Sequence, residues 1–225
     1  MVYVDHRGHG RSDRRPADEW TLDTFADDVV KLCDALDIRK PVVLGQSFGG
    51  FVAQRYLARH PAHAAKVVLS STSHHLGLER KVAAFTRFGG AAAGAAARAF
   101  WTDPSPARWD AYNEHCRDTY NPTPGDPVAR QRTLMNEDIL FTSASGEQQT
   151  MQLLPGLAQV QCPVLVMAGT RDPVTPVEDA REIAAALPAR FSRHVEFPGA
   201  GHGAWRDDPG PAMALIREFV SGAAA

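Results

Sequence analysis

Apolar and polar positions follow two rhythms along this chain, and the rhythm lapses once in the middle. Val2-Tyr3-Val4 reads as a strand fragment, stopped by the turn-rich DHRGHGRSD. Over 21–37, Leu22, Phe25, Val29, Leu32, Cys33 and Leu36 recur at helical spacing, with Thr21 placed to cap and acidic residues after it. PVVLG, 41–45, is an apolar run with the length of a buried parallel strand. Helical spacing returns at 49–59, where Phe51, Val52, Tyr56 and Leu57 are spaced for burial and Pro61 follows the end. KVVLSS, 66–71, is the next strand.

From Ser73 to Val160 no strand alternates with a helix. The stretch holds Ala-rich helical segments over 82–100 and a Pro-rich loop, NPTPGDP, at 121–127. The strand–helix rhythm resumes with PVLVMAGT at 163–170, a helix at 177–187, the strand HVEF at 194–197 and a last helix near 211–220. Pro211 suits the first turn of that helix and Gly222 its exit. Alternating strands and helices imply an α/β fold: a mostly parallel sheet with helices on both faces. The expected division is a core of 1–72 and 161–225, with an inserted helical cap, or lid, at 73–160. There are no internal repeats, and the closing AAA is expected to fray.

Composition narrows the function classes. The 225 residues suit one domain, and an apolar fraction of 44% suits a soluble globule. A net charge of −2 with mixed signs carries no footprint of a nucleic-acid or anionic-membrane partner. No apolar run is long enough to cross a bilayer. Cys33, Cys116 and Cys162 are odd in number, far apart and without zinc-like spacing. They point to a reducing compartment, hence the cytoplasm, rather than to a disulfide scaffold.

The chemistry sits where strands end. Gly45-Gln46-Ser47-Phe48-Gly49 places a serine between an apolar strand and an amphipathic helix. The flanking glycines let strand and helix backbones approach around a strained turn that lifts the Ser47 hydroxyl clear. The Phe48 N–H, at the helix start, then points at the oxygen of a carbonyl under attack. A neutral serine needs a base, and the base an orienting acid. Asp172, in GTRDPVTP, and His202, in FPGAGHGAW, follow late strands in the order this architecture requires. Asp172 could instead be a turn residue before Pro173. His202 has rivals in His60, His63, His74, His75, His115 and His194; His60 and His63 read as solvated helix-end residues. His6 and His9 make a poor metal pair without a carboxylate partner, so no metal is expected there. Asp5 and Arg7 are expected to fix that turn by a local ion pair.

Four motifs together resemble the α/β-hydrolase superfamily: D-x-R-G-x-G-x-S at Asp5–Ser12, G-x-S-x-G-G at Gly45–Gly50, G-x-x-D at Gly169–Asp172 and G-x-G-H at Gly199–His202. GQSFGG and a helical cap are similar to its proline iminopeptidase-like branch. The resemblance implies Ser47 as nucleophile, Asp172 as orienting acid, His202 as general base and the Phe48 N–H as one oxyanion donor, with no cofactor. A serine at the turn sets the chain apart from the dehalogenase and epoxide hydrolase branches, which use aspartate there. The family begins with three further strands and a loop giving a second oxyanion donor, so the resemblance implies a fold lacking its first strands, by on the order of fifty residues.

The expected function is cleavage of an ester or amide bond in a small molecule or short peptide. Release of an amino-terminal proline is one form of it, with cap carboxylates such as Glu137, Asp138 or Glu147 pairing with the substrate amine. For those three carboxylates a solvated helix face is the competing reading. The alternatives are an esterase, lactonase or C–C hydrolase on small apolar substrates, or an inactive fragment.

Overall fold

Val67 and Leu69 point to one side of their strand and Val68 to the other, and all three are wholly buried. Only a strand covered on both faces does this. The computed structural model describes residues 1–222, apart from the side chains of 129 and 130. Its first elements are α1 (Leu22–Ala35), β1 (Val42–Gln46), α2 (Phe48–Arg59) and β2 (Lys66–Ser70). Five helices follow: α3 (Leu78–Thr102), α4 (Pro106–Cys116), α5 (Pro127–Gln131), α6 (Glu137–Ser145) and α7 (Glu147–Thr150). The chain then returns through β3 (Val164–Gly169), α8 (Val177–Ala186), β4 (Ser192–Phe197), α9 (Ala204–Asp207) and α10 (Pro209–Ser221).

The four strands form one parallel sheet in the order β1-β2-β3-β4. Gly45 stands beside Leu69, Leu69 beside Val166, and Val166 beside His194. On one face Val67, Leu69, Val164 and Val166 pack with Ala26 of α1, Tyr56 and Leu57 of α2 and Ile183 of α8. On the other, Val68, Leu165 and Met167 pack with Ala212 and Leu215 of α10. Each such aliphatic side chain taken out of water contributes roughly 1.5–3 kcal/mol. This is the α/β architecture expected from the pattern.

Between β2 and β3 the helices build a second, aromatic cluster. Phe85 and Phe100 of α3 pack on Trp109 and Tyr112 of α4, and Val174 of the loop after β3 joins them. Gly90, with φ 83° and ψ −178°, kinks α3 where helical φ/ψ fails. The strand-free stretch therefore has its own core and rests on the loop that carries Asp172.

The structure corrects several local expectations. Val2–Val4 form no strand, because no strand lies beside them to complete a ladder. The strand expected to be buried at 41–45 is an edge strand, leaving Val42 41% and Leu44 48% exposed. Leu36 lies past the end of α1 and is exposed. The last helix opens at Pro209, so Pro211 stands third in it. Arg7 pairs with Asp28 and Glu19 instead of Asp5; Asp5 accepts the Arg11 N–H across the turn. All three cysteines are buried and free. Among the described residues no helix is long and apolar enough to cross a membrane. The closing residues 223–225 lie outside the described part.

Candidate active site

β1 runs directly into α2 through Ser47. The serine has φ 52° and ψ −118°, a conformation that costs a non-glycine residue about 1–3 kcal/mol. Its surroundings enforce it. The Ser47 N–H donates to the carbonyls of Ser70 and Ser71, at 3.0 Å each, while its own carbonyl accepts the Thr72 hydroxyl at 2.9 Å. Gly45 makes the turn possible: a Cβ there would lie 2.2 Å from the Gly49 carbonyl oxygen. Phe48 opens α2, and among the described residues no acceptor takes its N–H.

Asp172 follows β3 and is 2% exposed. Its carboxylate is fully engaged. Oδ1 accepts the N–H groups of Val174 and Thr175 at 2.8 and 2.9 Å. Oδ2 accepts the Thr175 hydroxyl at 2.7 Å and lies 2.8 Å from His202 Nδ1. A carboxylate can only accept, so the Nδ1 proton points at Asp172, and in the neutral ring the lone pair is on Nε2. The arrangement fixes one tautomer of one ring in one orientation.

His202 follows β4 in a loop held from three directions. Its N–H donates to the Tyr120 carbonyl at 2.7 Å, its carbonyl accepts from Asn121 at 3.0 Å, and the Tyr120 ring stands edge-on to the imidazole. Asp207 holds the loop from below through the Gly201 N–H at 2.7 Å. The next residue reaches the serine turn. The Gly203 N–H donates to the Ser71 hydroxyl at 2.9 Å, and a Cβ on Gly203, at φ 95°, would lie 2.6 Å from Gln46. His202 and Ser47 thus flank a shared seam, with Gly203 on Gln46 and Ser71. No hydrogen bond joins the Ser47 hydroxyl to His202. Such bonds are long in many free enzymes and tighten when substrate binds.

The turn at Asp5–Ser12 forms a neighbouring wall. The rings of His6 and His9 lie 6.4 and 5.8 Å from that of Phe48, and both also pack on Phe25. Burial, then the neighbouring His9, hold the His6 imidazole down at about 4, so it stays neutral. These histidines serve as aromatic surface.

Two of the rival histidines are otherwise engaged. His60 meets Asp27 at 2.8 Å, and His63 meets the Tyr56 hydroxyl at 2.6 Å. Both are half-buried and partnered rather than solvated as expected. His194 lies within β4. The cap carboxylates divide: Glu137 and Asp138 are exposed in the first turn of α6, whereas Glu147 accepts the Leu22 N–H at 2.8 Å and pairs with Arg55.

Sequence reasoning missed Thr175, Ser71, Tyr120 and Asn121. Thr175, three residues after Asp172 in the same turn, carried a signal in the spacing D-x-x-T. The other three act through folding contacts and leave no local pattern.

The α/β hydrolase fold family matches residues 2–209. The chain belongs to that family. This hydrolase is 32% identical over 215 residues to a non-heme chloroperoxidase of Streptomyces lividans, covering 90% of this chain and 75% of that one. It is 30% identical over 236 residues to RutD of Caulobacter sp. (strain K31), covering 100% and 82%. The proline iminopeptidase of Mycobacterium smegmatis superposes with a TM-score of 0.69 at 23% identity, over 97% of this hydrolase and 77% of that chain, a likeness of fold. Family membership makes the chain an enzyme. The relatives' names differ in reaction, so the substrate must be argued from the site.

Proposed function

We propose that this hydrolase cleaves carboxylic esters of small molecules through Ser47, His202 and Asp172. The observation that carries the reading is the Asp172–His202 pair, 2.8 Å apart and docked through Gly203 on the serine turn. His202 Nε2 takes the Ser47 proton as Oγ attacks the substrate carbonyl. The resulting oxyanion receives the Phe48 N–H at the helix start, a donor worth on the order of 10²–10³ in rate. The imidazolium then gives its proton to the leaving alcohol, and water releases the acyl group by the same steps in reverse.

Esters come before amino-terminal prolines because of the cap carboxylates. Glu147 is bound to Leu22 and Arg55, and Glu137 and Asp138 face solvent. None of the three is left buried to receive a substrate amine. The test is labelling with a fluorophosphonate probe, followed by turnover of short p-nitrophenyl esters against proline p-nitroanilide. Labelling at Ser47, its loss in Ser47→Ala and turnover of the esters are expected. A folded protein that neither labels nor turns over esters ends the reading. Turnover of the anilide alone transfers it to the peptidase class.

A further inference from the structure

Two adjacent histidines stand where the chain leaves β2 for α3. Facing them, α8 offers Asp179 and Glu182, three residues apart and so on one helix face. The rings of His74 and His75 are stacked, 4.0 Å between centroids and 18° from parallel. His74 Nε2 lies 2.6 Å from Glu182 Oε2, and His75 Nε2 lies 3.6 Å from Asp179 Oδ1. One ligand atom from each of the four residues falls within 4.8 Å of the others. His74 is 5% exposed and Asp179 1%. The buried His75 Nε2 has no hydrogen-bond partner, and neither has His74 Nδ1.

Two imidazole nitrogens and two carboxylate oxygens form a donor set that suits zinc. Zinc bonds of about 2.0–2.2 Å in a tetrahedron separate neighbouring ligands by about 3.4 Å. The His75–Asp179 pair already has that spacing, which is too long for a hydrogen bond. The His74–Glu182 pair must open by less than about 1 Å to match it. Arg80 is the competing cation. Its Nη1 bonds Asp179 Oδ1 and lies 3.2 Å from Glu182 Oε2, the oxygens that His75 and His74 face, while its Nη2 bonds Glu182 Oε1 at 2.7 Å. Zinc must therefore displace Nη1 from Asp179 Oδ1 and Glu182 Oε2, while Nη2 keeps Glu182 Oε1 and holds that carboxylate from behind, as outer partners of ligating carboxylates do.

We propose that His74, His75, Asp179 and Glu182 bind one Zn²⁺, which ties the entrance of the helical insertion to α8 of the core. None of the four hydrogen-bonds to Ser47, Asp172 or His202, so the site is separate from the hydrolytic chemistry. Its occupancy acts on how firmly the insertion is held.

The experiment is titration of the chelator-treated full chain with Zn²⁺, and with Co²⁺ as a spectroscopic stand-in. One equivalent of Co²⁺ is expected to give the intense visible absorption of four-coordinate cobalt, and one equivalent of Zn²⁺ to raise Tm. His75→Gln, or the half-exposed Glu182→Gln should the first fail to fold, is expected to weaken binding at least about tenfold. His60→Gln with His63→Gln, just past the end of α2, should leave it unchanged. Absence of saturable binding makes the cluster an ion-pair network closed by Arg80 and overturns the proposal. Equal binding by the wild type and a folded His75→Gln or Glu182→Gln chain overturns it as well.

Discussion

Two aspartate–histidine pairs in this hydrolase share one separation, 2.8 Å, and little else. Asp27 and His60 meet on the outside of α1 and α2, each about 30% exposed, with Arg59 gripping the same carboxylate. Asp172 and His202 meet at the carboxyl ends of β3 and β4, with side chains 0% and 11% exposed. In the first pair the competing cation and water share the aspartate's charge. In the second, among the described residues, the other bonds to the Asp172 carboxylate come from its own turn, and the ring it addresses is that of His202. Distance alone does not distinguish a site from a surface contact. Position at strand ends and burial do.

The largest expected effect separates the two pairs by activity. Asp172→Asn removes the acceptor that fixes the imidazole tautomer, so kcat on the best p-nitrophenyl ester should fall on the order of 10⁴-fold. Asp27→Asn should change it by less than about twofold. Comparable losses in both variants would mean that the Asp172–His202 pair is structural and the proposed assignment wrong. Circular dichroism of the two variants keeps misfolding apart from lost chemistry.

The residues that the fold brings to the candidate site were largely legible in the chain. Gly45, Ser47 and Asp172 stand beside strands whose apolar runs are continuous, and continuous runs mark buried parallel strands, while His202 follows a strand of mixed pattern, HVEF. What failed is informative. Leu44 belongs to such a run and is still 48% exposed, because a pattern reports a strand but not its place in a sheet. Arg7 chose Asp28 and Glu19 over its near neighbour Asp5, since partners on α1 and the turn before it become adjacent only on folding. Tyr120 and Asn121 hold His202 from more than eighty positions away in the chain. No spacing rule reaches that far.

A smaller effect tests whether the strand-end region is as tightly built as the buried pair implies. The two glycines flanking Ser47 looked equivalent in sequence, and they are not. A Cβ on Gly45 would lie 2.2 Å from the Gly49 carbonyl oxygen, whereas a Cβ on Gly49 meets nothing within 4 Å. Gly45→Ala should lower stability by about 1–3 kcal/mol through forced backbone movement and take activity down with it. Gly49→Ala, at the start of α2, should be neutral or slightly stabilising, by up to about 1 kcal/mol from helix propensity. Urea unfolding of both checks this. If Gly45→Ala proves as stable as the wild type, the turn has slack, and the strain assigned to Ser47 loses its support.

The smallest effect lies in the exposed pair and shows what it does contribute. The hydrogen bond from Arg59, then that from His60, hold the Asp27 carboxyl down at about 2, below its ordinary 3.8. A carboxyl depressed in the folded state stabilises above its unfolded pKa and loses that contribution as pH falls through the folded one. Asp27→Asn should therefore cost stability at neutral pH. With the carboxylate partly in water, the loss should stay below about 1 kcal/mol. Near pH 3, between the two pKa values, roughly half of the gap between wild type and variant should remain, and less on further acidification. The gap should also shrink in high salt, because an exposed ion pair is screened. A difference that stays constant from neutral pH to pH 3 would show that Asp27 acts there through packing or shape, and the contrast between the two pairs would then rest on burial alone.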